Sequence, residues 1–272
     1  MCTCITYQNK DFYFGRNLDL DCSFGEQVVV TPRNFPLEFR RAGREAHHYA
    51  MIGMASANDS FPLYAEAVNE KGLCMAGLNF PGNAYYREVS GEGIEIASFE
   101  IIAWILGKYA SVAEAEASLR KIKIVDLAFS PQMPPTPLHW MLADKERCLV
   151  LEAVREGLKI HENPFGVLTN NPPFEYHKIN MNNYLNLSAR SPENRFSDRL
   201  ELKGYSQGMG AVGLPGDASS ASRFVRAAFL RWNSVSPEDE DSNVSQFFHI
   251  LDGVSMVRGA VVTEAGTYDI TT

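Results

Sequence analysis

A cysteine, Cys2, stands directly behind the initiator methionine, and the chain runs from it into a β-type segment at 3–7. This constrains the fold, because a sheet that begins at residue 2 ties the chain terminus into the core, where an untethered end would fray. It also constrains the chemistry. Removal of Met1 would put a thiol and a free α-amine on one residue, Cys2. An α-amino group titrates near ~7.7–8.0, so at neutral pH part of it is unprotonated and can take the proton of the adjacent thiol. A terminal amine paired with its own side-chain nucleophile replaces the histidine that such nucleophiles otherwise need. Position alone does not establish this role, since any residue can follow a methionine.

The chain has 272 residues, 45% of them hydrophobic and 21% charged, which supplies one large core and excludes collagenous, disordered and membrane-spanning classes. Its first twenty residues hold Lys10, Asp11 and Arg16 and no continuous apolar stretch, so neither a secretory signal nor a membrane helix is expected, and the cytoplasm is the expected compartment. Five cysteines, at 2, 4, 22, 74 and 148, are an odd number at irregular spacing and predict reduced thiols in place of a disulfide framework. Cys2 and Cys4 leave open a C-x-C metal or redox pair, although no second cysteine or histidine cluster stands nearby to complete it. A net charge of −8 speaks against nucleic acid as a partner. Any anionic substrate must then be held by local cations, because the overall field repels it.

No repeat, low-complexity tract or long linker divides the sequence, so residues 1–272 read as one domain. Strands are expected at 3–7 and 12–16 around an Asn9-Lys10-Asp11 turn, then at 27–31, 49–55, 63–68 and 73–78. Phe99, Ile102, Ala103 and Leu106 recur at helical spacing, and Ser111 caps a second helical stretch. A meander is expected at 139–143, 148–153 and 158–161, followed by helices at 174–187, 220–232 and 244–257. In the last of these, Val244, Phe247, Phe248, Leu251 and Val254 form one apolar stripe. Strands, helices, strands and helices with antiparallel pairing predict an α+β fold of αββα layers.

Several longer stretches carry more information: MCTC at the start, FGRNLD at 14–19, VVVTPRNFPL at 28–37, NEKGLCMAGLNFPG at 69–82, LHWML at 138–142, GVLTNNP at 166–172 and GLPGDASSASRFVRAAF at 213–229. Together, in one register, they resemble the choloylglycine hydrolase family, most nearly its bile salt hydrolases. The resemblance implies an N-terminal-nucleophile αββα sandwich of two antiparallel sheets covered by helices. It makes Cys2 both nucleophile and base, puts Arg16 beside the thiol, and has Asp19 accept hydrogen bonds from the terminal amine. Asn79 and Asn170 resemble the oxyanion-stabilising pair, and Arg223 matches a family arginine near the site. Taken singly, Arg16 would be a surface arginine at a strand end, Asp19 a turn residue, and the two asparagines backbone-satisfying loop residues.

The resemblance further implies amide hydrolysis without metal or organic cofactor, on glycine- or taurine-conjugated bile acids. Asn79 follows MAGL, where bile salt hydrolases tend to have asparagine and penicillin V acylases tyrosine. Leu18, Ala65, Phe129, Met133 and Leu138 match family positions that line a steroid pocket, and the Pro-rich segment at 127–138 has the composition of a mobile apolar loop. Asn58 departs from the pattern, standing where relatives can have an aromatic residue. The chain also ends at TEAGTYDITT, where relatives continue through further strands, which predicts unpaired sheet edges. Homotetramers are common among the relatives, and 187–210 is a candidate assembly loop. The alternatives are a penicillin V or acyl-homoserine lactone acylase using the same Cys2, or a non-catalytic relative.

Overall fold

The computed structural model describes residues 1–58 and 61–271, with the Asn58 side chain outside what is described. The chain opens with β1 (Cys2–Gln8) and β2 (Phe12–Leu20), which pair antiparallel around the expected turn. Further strands follow as β3 (Gln27–Thr31), β4 (Leu37–Phe39), β5 (Gly43–Glu45), β6 (Met51–Asn58), β7 (Phe61–Asn69), β8 (Cys74–Asn79) and β9 (Ile94–Ala97). Helices α1 (Ile101–Lys108) and α2 (Val112–Leu119) precede β10 (Ile122–Val125) and a meander of β11 (Leu138–Ala143), β12 (Cys148–Val154) and β13 (Gly157–Glu162). The chain continues through β14 (Val167–Leu168), α3 (Phe174–Asn180), α4 (Ser220–Asn233), α5 (Glu240–Asp252) and β15 (Ile270–Thr271).

Two sheets result. One orders its strands β14-β1-β2-β15 and the other β13-β12-β11-β8-β7-β6-β3, and every pairing within them is antiparallel. Alternation along the strands assigns their side chains to different layers. On β8, Met75 joins a core with Ile101, Ile105 and Leu106 of α1, while Ala76 and Leu78 pack with Cys2, Cys4, Met141 and Val150 between the sheets. That second cluster extends to Ile5, Phe224 of α4 and Phe247 of α5, which places the later helices on the far side of the smaller sheet. The layers are therefore α, β, β, α as expected, with β1 in the middle and Cys2 only 2% exposed.

The local differences have physical causes. The short strands β9 and β10 form a parallel pair, which the α1–α2 crossover makes possible; a run of four residues carried too little alternation to be expected. The helix expected over 174–187 stops at Asn180 and tightens into a 3-10 turn at Met181–Tyr184. In α5 the stripe is rotated. Phe247, Ile250, Leu251 and Asn243 are buried, whereas Val244 and Phe248 face solvent. Asn243 tolerates burial because its Nδ2 donates to the carbonyls of Pro237 and Asp239 and its Oδ1 accepts from Asn9.

Candidate active site

The hairpin register brings Cys2 and Arg16 together. Cys2 lies opposite Leu18 and Cys4 opposite Arg16. Opposed residues share a face, so these four side chains enter the space between the sheets. Arg16 Nη2 approaches Cys2 Sγ at 2.6 Å.

The far end of Arg16 fills a defect in the larger sheet. Along β7 the pairing with β6 passes from Met54↔Glu66 to Ala55↔Tyr64, leaving Ala65 without a partner, a β-bulge. Pairing of β7 with β8 ends at Glu66↔Ala76, so the two strands part beyond that point. Their unpaired carbonyls at Ala65 and Gly77 accept from Arg16 Nη1, the former at 3.4 Å, and Glu66 Oε2 lies 3.7 Å from the same nitrogen. Burial lifts the Glu66 carboxyl above the usual carboxylate range, and Arg16 opposes this only in part.

The main chain of Cys2 is held from the helical side. Its N–H donates to Asn170 Oδ1 at 2.9 Å, and Arg223 Nη2 donates to the same oxygen at 2.8 Å. Arg223, fully buried on α4, also donates to the Cys2 carbonyl, to Thr3 Oγ1 at 2.6 Å and to the Ala218 carbonyl at 3.0 Å. Asn170 Nδ2 donates to the Asn79 carbonyl at 2.8 Å, and the Asn170 N–H donates to Ser220 Oγ at 2.8 Å.

At Asp19 the amine in place is that of Met1 and not of Cys2. The terminal amine donates to the Asp19 main-chain oxygen at 2.5 Å and lies 3.5 Å from Asp269 Oδ2. The Asp19 side chain accepts from Thr271 Oγ1 through Oδ1, while Oδ2 is buried with no hydrogen-bond partner. Burial raises this carboxyl above its ordinary range.

Where β7 and β8 part, a cavity of about 580 Å³ opens. Cys2, Arg16 and Asn79 line it, as do all five residues expected of a pocket: Leu18, Ala65, Phe129, Met133 and Leu138. The rest of the wall is mainly apolar, with Leu63, Phe99, Ile102 and three prolines at 134, 135 and 137. The loop carrying those prolines is fastened at both ends. Arg40 donates to the Phe129 carbonyl at 2.9 Å, and the Tyr86 hydroxyl donates to the Thr136 carbonyl and accepts from the Leu138 N–H, each at 2.7 Å.

Sequence reasoning missed Glu66, Ser220, Arg40 and Tyr86, which stand beside the β7 bulge, at the start of α4, in the β4–β5 turn and between β8 and β9; no local pattern marks them. Among the described residues no group of three or more His, Cys, Asp or Glu is placed to hold a metal ion. No helix among them is long and apolar enough to cross a membrane.

An αββα sandwich whose innermost strand begins with a buried cysteine on an arginine is the architecture of N-terminal-nucleophile amidases. The chain belongs to the choloylglycine hydrolase family of linear amide C–N hydrolases, whose model matches residues 2–272. It is 51% identical over 271 residues to a bile salt hydrolase/transferase of Lactiplantibacillus plantarum, covering 100% of this chain and 84% of that one. A bile salt hydrolase/transferase of Clostridium perfringens is 39% identical over 277 residues, again covering 100% and 84%. Among solved structures, the C2A mutant of the Clostridium perfringens conjugated bile acid hydrolase superposes with a TM-score of 0.90 at 39% identity, over 100% of this chain and 84% of that one. A penicillin V acylase from Agrobacterium tumefaciens shares the fold, with a TM-score of 0.78 at 19% identity over 99% of this chain and 77% of that one.

Proposed function

We propose that the protein hydrolyses the amide bond joining a bile acid to glycine or taurine, with Cys2 as nucleophile. The observation that carries this reading is the Cys2 sulfur, 2.6 Å from the Arg16 guanidinium, opening into an apolar cavity of about 580 Å³. Burial of a fused hydrocarbon ring there contributes roughly 25 cal/mol per Å², and Leu18, Ala65, Phe129, Met133 and Leu138 are the pocket residues of this reading.

The reaction proceeds as follows. With Met1 removed, the Cys2 amine takes the thiol proton and the sulfur attacks the amide carbonyl carbon. The oxyanion is met by Asn79 and by the second amide hydrogen of Asn170, the first being engaged by the Asn79 carbonyl. The C–N bond breaks as the Cys2 ammonium protonates the leaving nitrogen, and water then opens the thioester. An amine can open a thioester as water does, which fits the hydrolase/transferase designation of the relatives. Asp19 Oδ2, unpartnered beneath the hairpin, is the acceptor we assign to the freed amine. Arg223 holds the Cys2 carbonyl and Asn170.

The test is a parallel assay with glycocholate, taurocholate and penicillin V on protein whose N-terminus is verified by mass. Asn79→Tyr should lower the ratio of bile-salt to penicillin V turnover; an unchanged or higher ratio would remove Asn79 as the discriminating residue. Tyr86→Phe, which unfastens the loop carrying Met133 and the prolines, should raise KM for glycocholate about three- to tenfold with a smaller change in kcat. A kcat effect that exceeded the KM effect would count against a binding role for this loop.

The same reading makes residues 1–272 a single domain that works as a cytoplasmic homotetramer. In support, all five cysteines are unpaired. Phe196 and Tyr205 in the candidate assembly loop are 81% and 88% exposed, an apolar surface suited to a second copy of the chain.

A further inference from the structure

We propose that Glu66 is a positioning residue for the reaction, sharing the Arg16 guanidinium with the Cys2 sulfur and thereby setting the pH at which that sulfur becomes reactive. The inference rests on the reading of Cys2 as nucleophile.

Its geometry is a three-member line. Cys2 Sγ meets Arg16 Nη2 at 2.6 Å, while Glu66 Oε2 lies 3.7 Å from Nη1 on the opposite side of the fork. The Arg16 side chain is 3% exposed and that of Glu66 21%, so solvent screens little of their interaction. Glu66 Oε2 makes no hydrogen bond, which leaves the arginine as its one compensating charge among the described residues. A carboxylate in this position draws on the same cation that stabilises the thiolate, and each anion weakens the hold of the other. Burial biases Glu66 toward its neutral form and Arg16 opposes it, through the guanidinium that also meets the Cys2 sulfur. The other ionisable groups around this line are Cys4 on β1, Asp19 on β2 and Arg223 on α4. The Cys4 thiol is pushed far up by burial, and Asp19 and Arg223 sit together on the helical side of the hairpin, so Glu66 is the group that competes directly for Arg16.

Glu66→Gln keeps the shape and an acceptor oxygen for Arg16 while removing the charge. The probe is iodoacetamide alkylation of mature protein across pH 5–9. Modification is quantified on the N-terminal peptide, so that exposed Cys22 does not contribute. The pH–kcat/KM profile for glycocholate is measured alongside. The expected result is that the variant alkylates Cys2 severalfold to about tenfold faster at pH 6–7, with the acid limb of the activity profile displaced to lower pH. Superimposable or slower alkylation, with Cys2 reacting normally in both proteins, would overturn the role of Glu66 alone. If alkylated Cys2 left activity intact, the nucleophile reading would fail, and this inference with it.

Discussion

Mature Cys2→Ala protein should retain less than about one part in 10⁴ of the wild-type turnover, since loss of an amidase nucleophile removes the covalent route entirely. Cys4→Ala should keep most of it. The two sulfurs are two residues apart on one face of β1 and belong to the same core, so packing alone predicts similar effects. They differ in what surrounds them. Cys2 contacts Arg16 and opens into the cavity, whereas Cys4 is fully buried and its thiol is pushed far above the ordinary range by that burial. Protein that retains Met1 should be as inactive as Cys2→Ala, because the Cys2 nitrogen is then an amide with no basic lone pair. Initial rates paired with intact masses decide both points. Equal losses at the two cysteines, or full activity with Met1 present, would remove the mechanism.

Arg223→Met should be the most destabilising single change at the site. The side chain is wholly buried, and its guanidinium satisfies the Cys2 and Ala218 carbonyls, Thr3 Oγ1 and Asn170 Oδ1. Removing it leaves the Cys2 and Ala218 carbonyls and Thr3 Oγ1 without this donor, and Asn170 Oδ1 with the Cys2 N–H alone. The expected cost is about 3–5 kcal/mol, a fall of roughly 6–20 °C in Tm. Turnover should fall as well, because Asn170 Oδ1 loses one of its two donors and the strand carrying Cys2 loses its anchor to α4. Arg223→Lys restores the charge without the fork and should recover only a minor part of the stability. Thermal unfolding of the two variants beside the wild type tests this, and a Tm within 2 °C of wild type for Arg223→Met would contradict the assigned role.

The centre of this molecule was legible in the sequence because it is built on a hairpin. Once Asn9-Lys10-Asp11 is taken as the turn, the pairing of Cys4 with Arg16 follows by counting, and Cys2 falls on the same face. Periodicity marks the helices α4 and α5, and of the α5 stripe Phe247, Leu251 and Val254 are buried while Val244 and Phe248 are not; Asn243 is buried by hydrogen bonds that hydropathy does not register. The pairing of β9 with β10 and the partners of Arg16 on β7 and β8 lie between segments distant in sequence. They depend on where ladders stop, and no single strand records that. The motifs point to Asn79, Asn170 and Arg223, and the fold brings all three to Cys2; that Asn170 bridges Cys2 to Asn79 is a tertiary contact no motif records.

The unpartnered Ala65 has a consequence for how substrate range can change in this protein. The cavity lies where β7, bulged by one residue against β6, parts from β8, and Ala65 lines it, so the backbone path of β7 shapes the opening as well as the side chains around it. Deleting Ala65 would restore the ladder with β6 and withdraw one of the carbonyls that receive Arg16, so that a wall of the chamber and the seat of the cation change together. Replacing side chains at Phe129 or Met133 changes only the lining. Room for a larger or smaller acyl group can therefore be changed in small steps from the loop, whereas a change at the bulge moves the backbone wall and the seat of Arg16 in one step.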